Sequence, residues 1–158
     1  RLDADGRARL AGSTMAHQLL VSLVSALALG ALALAAGFGV GPHGLSPVAW
    51  ALAASVIFLL LREFARRLCF ADLKSGQALA LDLLVAAVQI PLILWLAASG
   101  RLTAPLAYLV MGLACGLPAL GWLLTSRRRF SFSRRQILSD FRQGWGLGKW
   151  LLAGSVAG

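Results

Sequence analysis

Two long apolar runs, LSPVAWALAASVIFLLL from Leu45 and LLVAAVQIPLILWLAASG from Leu83, flank the charged stretch REFARRLCFADLKSGQALALD between Arg62 and Asp82. Each run is long enough to cross, or nearly cross, a hydrocarbon core of ~30 Å at ~1.5 Å per helical residue. The charged stretch therefore reads as a connection held on one side of a membrane. Arg62 and Glu63 fall inside the end of the incoming helix, and Asp82 inside the start of the outgoing one. Ionisable groups at such depth are costly and usually face a water-filled cavity or a partner. Function is expected here.

The rest of the chain agrees with this class. Of 158 residues, 59% are hydrophobic and 13% charged, against roughly 45–50% and 25% in soluble domains. The net charge of +9 would suit nucleic acid, but the basic residues cluster between apolar runs and match no nucleic-acid-binding module, so no such partner is expected. Cys69 and Cys115 provide neither a disulfide framework nor metal spacing. The chain opens on Arg1 without an initiator Met and stops at Gly158 inside an apolar run, which suggests a piece of a longer protein.

Hydropathy places transmembrane helices at about 17–40, 46–70, 77–98 and 103–125, with another starting from 145. The first is too long for a signal-peptide core of about 7–15 residues and reads as a retained helix. Ala33, Gly37 and Gly41 recur at a spacing that lets another helix approach. GPHGLSP is a turn, and its His43 has no evident partner. Ser55, Arg62, Arg66 and Cys69 share one face of the second helix, and Glu63 is placed to pair with Arg67. ADLKSG, 71–76, reads as a bend. Asp82 and Gln89 share a stripe of the third helix, which contains Pro91. The fourth carries Gly112 and Gly116 at spacing four, and Pro118; Thr103 is its expected N-cap. Ser133 and Gln136 form a capping-box pattern, predicting an amphipathic interfacial helix over about 133–142. The glycines of 144–148 have no βαβ context and are not a dinucleotide fingerprint.

Basic residues decide the expected orientation. Arg1, Arg7 and Arg9, then Arg62, Arg66, Arg67 and Lys74, then Arg127, Arg128, Arg129, Arg134, Arg135 and Arg142 lie in alternate polar segments; the intervening segments hold only Arg101. The positive-inside rule makes the arginine-rich segments cytoplasmic. Trp50 and Trp95 then fall at the outer interface, and Trp122, Trp145 and Trp150 at the inner one.

The succession of helix, REFARRLCFADLKSGQALALDLL, helix, tight turn, helix and RRRFSFSRRQILSDFRQGWGLGKWLL resembles bacterial polysaccharide-biosynthesis flippases of the multidrug, oligosaccharidyl-lipid and polysaccharide exporter superfamily. The resemblance spans essentially the whole chain, but it rests on hydropathy and arginine placement rather than an invariant signature. It implies an all-α polytopic bundle, part of one six-helix lobe of a two-lobe transporter. It further implies that a lipid-linked oligosaccharide passes from the inner to the outer leaflet of the bacterial cytoplasmic membrane. Membrane lipids and polysaccharide-assembly proteins are the expected partners, with no cofactor and no catalytic residue. Arg62 and Arg66 would hold the pyrophosphate, since a guanidinium binds phosphate oxygens in bidentate fashion. Asp82 and Gln89 would contact sugar or couple protons. The residues alone also allow Arg62 and Arg66 to snorkel to headgroups and Asp82 to cap its helix.

Three other functions compete with this reading. An ion-coupled multidrug exporter of the same superfamily needs embedded carboxylates, and only Asp82 lies within the apolar runs, near an end. A membrane enzyme of lipid-linked sugar assembly needs clustered aspartates or a histidine–acid pair. Asp72 and Asp82 are isolated, and His17 and His43 fall on opposite sides. A non-catalytic scaffold suits the small-residue faces but leaves Arg62 and Asp82 without a role.

Overall fold

The computed structural model describes residues 4–126 and contains, within them, only helices and short turns. In chain order these are α1 (Ala4–Gly37), α2 (Leu45–Ala71), α3 (Ser75–Ala98) and α4 (Ala104–Ser126). The segments 133–142 and from 145, expected as an interfacial helix and the start of a further span, lie outside the described residues. Two compact units divide the chain: Gln18–Thr125, and Arg1–His17 with Ser126–Gly158. The architecture is all-α, as the hydropathy demanded.

Among the described residues, four helices are long and apolar enough to cross a membrane, over Leu10–Gly37, Leu45–Ala71, Ser75–Ala98 and Ala104–Ser126. Their outward residues suit lipid: Leu23, Leu27, Leu83, Leu94, Leu117 and Leu124 all stand exposed. The chain is a multi-pass membrane protein. Two boundaries depart from the hydropathy reading. The polar segment before residue 17 is helical from Ala4, because alanine, arginine and leucine favour helix whether or not they enter lipid. The same helix stops at Gly37 rather than 40, so Gly41 is in the turn, with φ +115°, and not on a helix face. The stripe that does receive a neighbour is Gly30, Ala33 and Gly37. Trp50 packs 3.7 Å from where a Gly30 side chain would begin, and Ser46 lies 3.6 Å from the same point at Gly37. The Ser46 hydroxyl also donates to the Ala33 carbonyl at 2.9 Å.

All three described connections begin with one backbone device. After α1, the Val40 N–H donates to Ala35 O (3.1 Å) and the Gly39 N–H to Ala36 O (3.2 Å). After α3, Arg101 and Gly100 donate likewise to Leu96 O and Ala97 O, both at 3.0 Å. After α2, Lys74 donates to Cys69 O (2.8 Å) and Leu73 to Phe70 O (3.0 Å). This is the Schellman pattern, which caps the last carbonyls by turning one residue into the left-handed region. Glycine fills that position twice, as Gly39 (φ +89°) and Gly100 (φ +67°), but in the α2–α3 connection it is Leu73 (φ +56°). A leucine there costs about 1–2 kcal/mol, and its side chain recovers little because it is almost fully exposed. Leu73→Gly is expected to stabilise the protein by about 0.5–1 kcal/mol, after the greater chain entropy of glycine is subtracted. The midpoint of thermal unfolding in detergent should rise; a fall would mean that Leu73 makes an apolar contact absent from this structure.

Within Gln18–Thr125, α2 is the central helix. Small residues carry its contacts: Ala49, Ala51, Ala53, Ser55, Ala65 and Cys69 are all buried. Towards its C-terminal end, Ala65 and Cys69 pack with Ala78 and Leu81 of α3, and Trp122 of α4 covers the cluster. Trp122, expected in the inner aromatic belt, is thus also a packing residue. One layer further along, Val85 of α3 meets Ala114 and Cys115 of α4, bordered by Leu59, Val88 and Met111. Against α4 the approach is closest at Gly112, where an added Cβ would lie 2.6 Å from Ser55 Oγ and 3.0 Å from Ser55 Cα. Ser55 Oγ sits 2.8 Å from both the Ala51 and Tyr108 carbonyls, sharing its hydrogen between its own helix and α4. Lipid tails are as apolar as leucine, so burying hydrocarbon drives little association here; close backbone approach and such bonds take its place. Pro91 and Pro118 both lie within continuous helices.

Candidate functional site

The α2–α3 hairpin has a bend of only three residues, Asp72–Lys74, between Ala71 and Ser75. That is shorter than the expected 71–76, and it sets two antiparallel helices side by side. Arg62 lies nine residues before the end of α2 and Asp82 seven after the start of α3, so each stands about 10–14 Å along its helix from the bend. The short turn therefore brings them level. Arg62 Nη2 donates to Asp82 Oδ1 at 2.5 Å. The other carboxylate oxygen, Oδ2, lies 3.8 Å from Nη1 of Arg66, one turn along α2. One carboxylate thus spans two guanidiniums. Asp82 does not cap α3, which begins seven residues earlier; it faces across to α2.

A second carboxylate serves the outer side of the arginine row. Glu63 accepts from Arg67 Nε at 3.2 Å, the expected i,i+4 pair, and from Arg66 Nη2 at 3.3 Å. Arg66 Nε is 3.2 Å from Glu63 Oε2, close enough for an ion pair but not aimed for a hydrogen bond. Arg62 Nε is likewise buried without an acceptor among the described residues. Three guanidiniums against two carboxylates leave the network one positive charge in excess. The side chains of Arg62, Arg66 and Asp82 are 26%, 37% and 34% exposed, so the group remains reachable from outside the protein.

The fourth helix adds a residue that spacing alone could not place. Cys115, buried on α4, lies within electrostatic reach of both Arg62 and Asp82. It packs there with Val85 of α3. Gln89 joins neither pair; it is half-buried, about 10 Å further along the stripe that carries Asp82. The structure therefore brings Arg62, Arg66 and Asp82 together and leaves Gln89 apart. Among the described residues no group of three or more His, Cys, Asp or Glu could hold a metal ion. Neither cysteine forms a disulfide.

Chemically, this is a carboxylate held between two guanidiniums. Two guanidiniums one turn apart present forked donors to a single centre. No family model, curated protein or solved structure matches the chain.

Proposed function

We propose that this protein is a transporter that flips a lipid-linked oligosaccharide across the bacterial cytoplasmic membrane for surface-polysaccharide assembly. The observation that carries the reading is the pairing of Arg62 and Arg66 around one carboxylate within membrane-spanning helices. A polyprenyl pyrophosphate carries its charge on oxygens just beyond a hydrocarbon chain. A receptor for it needs guanidinium donors at the edge of an apolar bundle, still open to solvent, and these residues meet that need. The arginine-rich ends of the helices would face the cytoplasm by the positive-inside rule, placing the clamp where the substrate is made. A drug exporter driven by ions fits less well, because the one deep carboxylate, Asp82, is already neutralised by arginine. The membrane-enzyme reading would be favoured by a metal-binding group beside the clamp, and none is found among the described residues.

The test is complementation of surface-polysaccharide export in a flippase-null strain, with membrane abundance followed by blot. Arg62→Lys keeps the charge but loses the fork. Export should fall about tenfold, the equivalent of one charge-assisted hydrogen bond, and Arg62→Ala should fall further. Abundance should hold in both. A snorkelling arginine would tolerate lysine fully, since either side chain reaches the headgroups. Wild-type export by both variants at normal abundance would remove Arg62 from the substrate path.

A further inference from the structure

Asp82 has two possible relations to an anionic ligand, and the geometry distinguishes them. A carboxylate that contacts substrate would point at free space or at a sugar-sized opening. Asp82 instead places one oxygen 2.5 Å from Arg62 Nη2 and the other 3.8 Å from Arg66 Nη1. Those are the positions that two oxygens of a phosphate group would take in a two-arginine clamp. The arginines come from one helix and the carboxylate from the next, so the pair can open by side-chain movement without separating α2 from α3. All three side chains are a quarter to a third or more exposed, and ion pairs at such exposure are weak enough to exchange. Glu63 does not compete for the same face, because it binds Arg66 and Arg67 along α2. Arg62 Nε is buried and without an acceptor at rest, so a side-chain movement that opens the pair would also free this donor.

We infer that Asp82 is an internal stand-in for the ligand: it occupies Arg62 and Arg66 when the site is empty and is displaced by an incoming phosphate or pyrophosphate anion. The inference rests on the anion-carrying role proposed above and gives that site its resting state. It also gives Asp82 a function opposite to a substrate contact. While Asp82 holds the clamp, only the open fraction can bind, and the apparent affinity is lowered by that fraction. Removing the carboxylate charge should therefore strengthen binding. A resting partner also spares the membrane an unpaired Arg62 between transport cycles.

The experiment compares wild-type protein, Asp82→Asn and Arg62→Ala in phosphatidylcholine nanodiscs. Equilibrium binding is measured for a short polyprenyl pyrophosphate and for inorganic pyrophosphate. Asp82→Asn should bind about tenfold more tightly than wild type, as expected when the clamp is open roughly one-tenth of the time; Arg62→Ala should lose binding. Weaker or unchanged binding by a folded Asp82→Asn, with Arg62→Ala still impaired, overturns the stand-in and leaves the substrate site intact. Failure of wild type to bind either probe overturns both. Should Asp82→Asn fail to fold, infrared difference spectra of wild type labelled with 13C-aspartate provide the second readout. The Asp82 carboxylate band, assigned by its loss in Asp82→Glu, should shift when pyrophosphate is added; a fixed band with ligand bound counts against displacement. A final arm replaces the lipid with phosphatidylglycerol and omits pyrophosphate. A shift there supports displacement with a bilayer headgroup as the displacing anion, and it counts against the flippase reading rather than the stand-in.

Discussion

Gly112→Val is expected to force α2 and α4 apart and to destabilise the protein by about 3 kcal/mol or more, at the top of the range for overpacked cores. The reason is what stands opposite. A Cβ at residue 112 would lie 2.6 Å from Ser55 Oγ, 2.7 Å from its Cβ and 3.0 Å from its Cα. The first of these contacts could be relieved by a rotamer change, but the last is backbone and can move only with the helix. Moving the helix also breaks the Ser55 bond to the Tyr108 carbonyl, and in lipid no water replaces it. Gly116→Val should cost less, because its nearest neighbours are ring atoms of Phe58 at 2.8 and 3.1 Å, and a ring can swing. Gly121→Val should be nearly silent, since nothing lies within 4 Å of that position. Thermal unfolding in detergent, followed by tryptophan fluorescence, should rank the three in that order. Equal effects at Gly112 and Gly121 would mean that α4 does not pack on Ser55.

Much of this interface was legible in the sequence. Gly112 and Gly116 stood out at spacing four, and Ser55, Arg62, Arg66 and Cys69 shared a face by arithmetic alone. The partner helix was not legible, because spacing on one helix says which side is contacted and not by what. Hydropathy located the spans because lipid selects for it, yet it misplaced the start of α1, where Ala4 to Leu10 is helical without being apolar. It also extended α1 past Gly37, since Phe38 and Val40 are apolar but belong to a turn set by the left-handed Gly39. At the site, the charges could be singled out by their depth. The pairing of Arg62 with Asp82 was not legible, because which faces of α2 and α3 meet is set by the three-residue bend between them and not by spacing along either helix. Cys115 had no signal of its own. Its proximity to the pair follows from Ala114 and Cys115 packing on Val85, a tertiary fact.

The same register supports the last expected result: exchanging the two charges should restore stability without restoring export. Singly, Arg62→Asp sets two carboxylates face to face, and Asp82→Arg gathers four guanidiniums, Arg67 among them, against Glu63 alone. Close like charges at the edge of hydrocarbon are strongly unfavourable, so both single variants should lose abundance and melt early. In the double variant opposite charges again face each other across α2 and α3 at the distance now bridged by Arg62 and Asp82. Abundance and melting midpoint should return most of the way to wild type. The clamp, however, is gone. Its two arginines sit one turn apart on α2; after the exchange one guanidinium projects from α3, and a carboxylate stands beside Arg66, able to pair with it at i,i+4. A pyrophosphate then meets one arginine already occupied and another displaced to the wrong helix. Export in the flippase-null strain should stay at least tenfold below wild type while the protein is folded and present, about one charge-assisted hydrogen bond's worth or more. Recovery of both stability and export would make the pair a structural bridge and nothing else. Recovery of stability alone would separate the bridge that Arg62 makes between α2 and α3 from the anion-binding role proposed for it.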